Sequence, residues 1–149
     1  MSAAESIQNG TSPAGRDSWF ERVRGELRAG KLAPYVGPGL LSLGSDVQVP
    51  TSYSGLAEFL GGKVSLPRRA RGNAWAAAQF IESRQHRATV TALMKQAFAA
   101  DVAALPFHRY LVDIAPPLIV DTWYDGALRN AFAGKPDWVE IQGITRAGI

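Results

Sequence analysis

No cysteine occurs anywhere in the chain, which excludes a disulfide framework, a thiol nucleophile and a zinc-thiolate module. Histidine is nearly as scarce, with only His86 and His108, so no metal is expected. No apolar run approaches the roughly 20 residues needed to cross a bilayer. The opening Met-Ser-Ala-Ala-Glu-Ser-Ile-Gln-Asn-Gly has neither the basic nor the apolar region of a secretory signal. A cytoplasmic location with no membrane partner is expected. Low hydrophobicity with high charge, the mark of a disordered chain, is also missing, because 46% of residues are hydrophobic and 19% charged.

What is present fits one folded domain, and at 149 residues a domain buries roughly 68–70% of its unfolded surface. The net charge of +3 is unevenly placed. Residues 1–95 hold 12 Lys+Arg against 7 Asp+Glu, whereas residues 96–149 hold 4 against 6. Most of the excess lies in Arg16–Lys31 and in Lys63, Arg68, Arg69 and Arg71. Such a strip can meet phosphates, but solvated helix faces and a loop account for it more simply, and nucleic acid is not expected as the partner.

Residues 1–16 are small and polar and read as a flexible tail, followed by a domain over 17–149. Ser18 and Glu21 have capping-box spacing, Trp19, Val23 and Leu27 form a helical stripe, and Gly30 is a natural stop. Leu32–Val36 reads as a short buried strand. Residues 40–52 read as a long loop and Ser54–Leu60 as a helix stopped by Gly61-Gly62. Asn73 can cap a helix over Ala74–Arg84. Val90, Leu93, Met94, Ala97 and Phe98 lie at helical spacing, as do Phe107, Tyr110, Leu111 and Ile114 after Pro106. Leu118–Thr122 reads as a second strand, Asp125 as the cap of another helix, and Trp138–Ile144 as a third strand by its alternation. The ending at Ile149, directly after that pattern, reads as a fragment or as a naturally short protein. The expected architecture is α/β, a three-layer Rossmann-like parallel sheet of about three strands with a helical insertion between the first two.

Two apolar runs each end in a polar turn before a helical pattern. Tyr35-Val36 leads into Gly37-Pro38-Gly39-Leu40-Leu41, and Leu118-Ile119-Val120 into Asp121-Thr122-Trp123-Tyr124-Asp125. Nucleotide crevices in α/β proteins form where parallel strands end in this way. Gly37 and Gly39 could admit a pyrophosphate, or could merely turn the chain.

In order and spacing these segments resemble the SIR2-like family of sirtuin-related, Rossmann-type domains found in bacterial NAD-consuming proteins. The family places Gly-Ala-Gly-x-Ser after its first strand, where this chain has Gly37-Pro38-Gly39-Leu40-Leu41. Pro50–Leu60 resembles the proline and helix that follow, and Phe107-His108-Arg109-Tyr110-Leu111 resembles a His-Arg-x-Leu helix start. The family's Thr-Asn-Tyr-Asp corresponds to Thr122-Trp123-Tyr124-Asp125. The resemblance covers residues 32–132. It implies NAD or a related adenine nucleotide as ligand, held by Gly37, Pro38, Gly39, Leu40, Leu41, Thr122, Trp123, Tyr124 and Asp125.

Four departures weaken the implied catalysis. Trp123 stands where NAD-cleaving members have a catalytic Asn, and no downstream His partner exists. Pro38 removes a backbone N–H from the turn, and Leu41 replaces a hydroxyl. The four-cysteine zinc module of protein deacylases is absent, so that activity is excluded. Asp121 and Asp125 are the only acids placed for a catalytic role. Asp125 reads better as a helix cap, Asp121 as a strand-end carboxylate, and His108 as a hydrogen-bonding residue; Trp123 either plugs the crevice or stacks on a base. The expectation is a nucleotide-binding domain with weakened or absent catalysis. Two alternatives stand beside it: an NAD+ glycohydrolase completed by another chain or segment, and a non-catalytic scaffold that binds its own copy or a larger protein partner.

Overall fold

The computed structural model describes residues 13–142. Helix α1 spans Pro13–Arg28, followed by strand β1 (Tyr35–Val36) and a 3-10 helix over Pro38–Leu43. Helices α2 (Tyr53–Lys63), α3 (Ala74–Gln85), α4 (Arg87–Ala97) and α5 (Pro106–Ile114) come next. Strand β2 (Val120–Asp121) and helix α6 (Ala127–Phe132) complete the order.

The three-layer Rossmann-like sheet of about three strands is not formed. The described residues hold two strands of two residues each, paired in parallel, in a chain that is otherwise mostly helical. Parallel sheets need apolar cover on both faces, and here the helices spend their apolar surface on one another. The core joins Leu56, Ala57 and Leu60 of α2, Ala74, Ala77 and Ile81 of α3, and Leu93 and Ala97 of α4. Leu41, Leu66, Val102, Trp123 and Ala127 close around it. The strands lie at its margin: Tyr35 is 76% exposed and Leu118 59%, so the buried strands expected over Leu32–Val36 and Leu118–Thr122 shrink to two-residue bridges.

The expected third strand also fails. Residues 138–142 have no regular structure, and the remainder of Trp138–Ile144 lies outside the described residues. Side chains pin this segment beside α6, since Arg129 Nε donates to Glu140 at 2.8 Å and the Phe132 and Trp138 rings lie 5.6 Å apart. Val139 and Ile141 remain exposed.

Several helix ends differ from expectation for identifiable reasons. Helix α1 spans Pro13–Arg28, so Ser18 lies inside the helix rather than capping it, and residues 13–16 are helical. The rest of the expected tail lies outside the described residues. Gly61 and Gly62 do not stop α2, which continues to Lys63 and is closed by Val64. A Cβ at Gly61 would stand in ordinary contact with Leu66 Cδ1, at 3.4 Å, where the chain returns along the helix. The loop expected over residues 40–52 begins as part of the 3-10 helix. Asn73 caps α3 as its position implies, accepting from Ala76 N–H at 3.0 Å. Between α3 and α4, His86 takes φ +75°, and this break lets the two helices fold against each other.

Candidate functional site

The parallel pairing of β1 and β2 aligns Tyr35 with Val120 and Val36 with Asp121. It therefore brings Gly37–Leu41 and Thr122–Asp125 side by side at the carboxyl ends of both strands. The junction is tight: Val36 carbonyl accepts from Thr122 N–H at 3.0 Å and from Thr122 Oγ1 at 2.8 Å. A Cβ at Gly37 would stand 3.3 Å from that hydroxyl, which accounts for the first glycine by close approach. Gly37 itself is extended, with φ −141°.

Beyond Gly37 the chain enters the 3-10 helix with Pro38 at its start and Leu40 N–H bonded to Gly37 carbonyl at 3.1 Å. Leu41 does not face a ligand; it is 1% exposed and belongs to the core. Gly39 is exposed, and a Cβ added there would meet nothing within 4 Å. Its glycine identity is thus not required by the fold. As a first-turn residue its N–H is also not spent inside the helix.

Trp123 turns inward. It is 7% exposed, donates from Nε1 to the Pro50 carbonyl at 2.8 Å, and meets Tyr53 and Phe98 edge-to-face at 5.0 and 5.5 Å. The indole is held among core side chains and is not presented at the strand ends as a catalytic amide would be. Its neighbour Tyr124 is 51% exposed, with its ring 5.4 Å from Phe98.

Both candidate acids are engaged in turns. Asp121 Oδ1 accepts from Trp123 N–H at 3.1 Å, and Asp125 Oδ1 accepts from Ala127 N–H at 2.7 Å, capping α6. Desolvation of the Asp121 carboxyl raises its pKa from the ordinary value, against the lowering effect of the Trp123 N–H; the nearby Asp125 charge adds to the rise. His108 is 3% exposed, and its Nδ1 accepts from Leu105 N–H at 3.0 Å at the start of α5. Burial lowers its pKa, opposed by the Asp125 charge. It serves as a neutral hydrogen-bond acceptor that closes a helix end.

The candidate residues therefore divide. Gly37, Pro38, Gly39, Leu40, Thr122, Tyr124 and Asp125 share one rim, while Leu41 and Trp123 lie in the core beneath it. Sequence reading did not anticipate the role of Pro50, whose carbonyl anchors the Trp123 indole across 73 residues. No local signal announces such a pairing. Comparisons with family models, curated proteins and solved structures find no match to this chain. No helix among the described residues is long and apolar enough to cross a membrane.

Proposed function

We propose that this chain binds NAD or a related adenine nucleotide at the Gly37–Thr122 junction, as its resemblance to the SIR2-like family implies, and does not cleave it. The observation that carries this reading is the parallel pairing of two strands far apart in sequence, which unites both signature turns at one rim. Gly39 offers open space and an uncommitted backbone donor for a phosphate, and exposed Tyr124 offers a ring face for a base. Catalysis is disfavoured because oxocarbenium stabilisation and water activation need a positioned amide or carboxylate and a base. Here the indole of Trp123 is buried, one oxygen of each acid is committed to a backbone N–H, and His108 is enclosed at a helix start.

Isothermal titration with NAD and ADP-ribose tests the reading, using Gly39→Val as the variant. Saturable binding by the wild type, lost in a variant of unchanged melting temperature, is the expected result. A folded sample that binds neither ligand at millimolar concentration ends the proposal. Chromatography of NAD incubated with the chain is expected to show no nicotinamide, and its release would instead support the glycohydrolase reading.

A scaffold reading is favoured by a different observation. Among the described residues no further strand pairs with either edge of the two-stranded sheet, and Tyr35, Leu118 and Leu32 are exposed there. Open edges ordinarily need cover. Light scattering that finds a fully stable monomer at all concentrations removes self-association and argues against an obligate partner.

A further inference from the structure

We propose that the turn Lys63–Gly72, together with the Tyr53–Trp75 ring pair, forms a binding surface for single-stranded nucleic acid. The cations come first. Between Glu58 and Glu82 the chain carries Lys63, Arg68, Arg69 and Arg71 and no acid. None of these four enters an ion pair among the described residues, and the Arg68 and Arg69 guanidinium groups have no partner there at all. Lys63 lies over the Phe59 ring at 5.4 Å.

These charges are mounted on a fixed turn. Leu66 and Ala70 are buried, Ala70 N–H bonds to Pro67 carbonyl at 2.9 Å, and Arg71 Nε donates to Leu66 carbonyl at 3.2 Å. A turn already ordered loses little further entropy on binding. It runs back along α2 and leaves a groove of about 310 Å³, with Ala57 and Gly61 on one wall and Leu66, Arg71 and Gly72 on the other.

An aromatic platform lies one helical turn from the groove. Tyr53, Ala57 and Gly61 recur every fourth residue, so they share one stripe of α2, with Tyr53 about 6 Å along the axis from Ala57. Against Tyr53 lies Trp75, 66% exposed, with ring centroids 6.2 Å apart and planes at 31°. Composition alone explains the basic strip as solvated surface; the fixed turn and the exposed tryptophan beside it are what the fold adds. Arg71 on the groove wall, Lys63, Arg68 and Arg69 on the turn that flanks it, and exposed ring faces one helical turn away suit a strand whose phosphates and unstacked bases are both accessible. A duplex keeps its bases stacked, and an acidic peptide has no use for the ring faces. Glu58, the one acid lining the groove, opposes phosphate and tunes the affinity downward.

Fluorescence anisotropy of the full chain with labelled 12-mers of dT and U tests this. Each phosphate contact contributes a slope of about −0.7 in log K against log salt, so three contacts weaken binding about 20-fold from about 50 to about 200 mM salt. Arg68→Glu with Arg69→Glu is expected to abolish binding, and Glu58→Gln to tighten it. Trp75→Ala is expected to weaken it roughly tenfold with an unchanged salt slope. All these positions are exposed, and a circular dichroism melt confirms that each variant folds. The proposal is overturned by negligible binding at low salt, by wild-type affinity in the double arginine variant, or by no effect of Trp75→Ala. Equal affinity for duplex, or equal displacement by polyglutamate or by AMP, overturns it too.

Discussion

Replacing Trp123 by Ala removes a side chain buried against Tyr53, Phe98 and the Pro50 carbonyl, and the cost follows from those surroundings. Burying a Trp removes roughly 150–250 Å² from water, and truncating a large buried aromatic costs roughly 3–5 kcal/mol. The lost indole bond to Pro50 adds about 1 kcal/mol at most, because Pro50 is only half-buried and its carbonyl can take up water. A total near 4 kcal/mol is a large share of the roughly 5–15 kcal/mol that holds a domain together. At about 4 °C per kcal/mol for a chain of this size, the melting temperature falls by about 15 °C. Trp123→Phe keeps a ring against Tyr53 and Phe98 but loses the indole donor and part of the buried volume, so about 1–2 kcal/mol is expected. Urea unfolding followed by circular dichroism at the helical minimum measures both variants, since the helical signal does not depend on Trp123. Trp123→Asn, the residue found at this place in the family the chain resembles, is expected to destabilise at least as much as Ala, because an amide enters an apolar site. A loss below about 1 kcal/mol in Trp123→Ala would refute the account of the indole as a packed core residue.

Asp125→Ala removes the cap on α6 and is expected to cost about 1 kcal/mol in a denaturant melt; an effect on nucleotide affinity with no stability change would instead make it a ligand residue. Gly39→Ala, where a Cβ meets nothing, is expected to leave the melting temperature unchanged, whereas Gly44→Ala places a Cβ 2.8 Å from Leu105 Cδ2, a side-chain end that can shift, and is expected to destabilise by less than about 1 kcal/mol. Because the His108 pKa is lowered in the fold, the unfolded chain binds its proton first; stability is therefore expected to decline as pH falls below 6.5, and a pH series of urea melts with His108→Asn as control checks this. The Glu140 carboxyl is held down to about 2, first by its hydrogen bond from Arg129, so its contribution is present above the ordinary 4.5 and lost as pH falls toward 2. With both side chains substantially exposed, Arg129→Ala is expected to cost less than about 1 kcal/mol in the same melts at neutral pH.

The sequence by itself determined the local structure where neighbouring residues decide it. Asn73 stands one residue before an apolar run and caps α3, the i, i+3, i+4 spacing of Val90 to Ala97 produces α4, and Asp125 stands where its carboxylate closes the next turn. It also marked the two strand ends, because an apolar run meeting glycine or Thr-Trp-Tyr-Asp is itself a local pattern. Only the tertiary structure decided how much sheet survives and which way Trp123 faces. Alternation at Trp138–Ile144 can express a strand only if a partner edge and apolar cover await it, and the helices cover one another instead. Nothing near Trp123 in the sequence reveals that Pro50 holds a carbonyl 2.8 Å from its indole. Propensity and capping act over a few residues, whereas burial is settled by competition among all apolar surfaces at once.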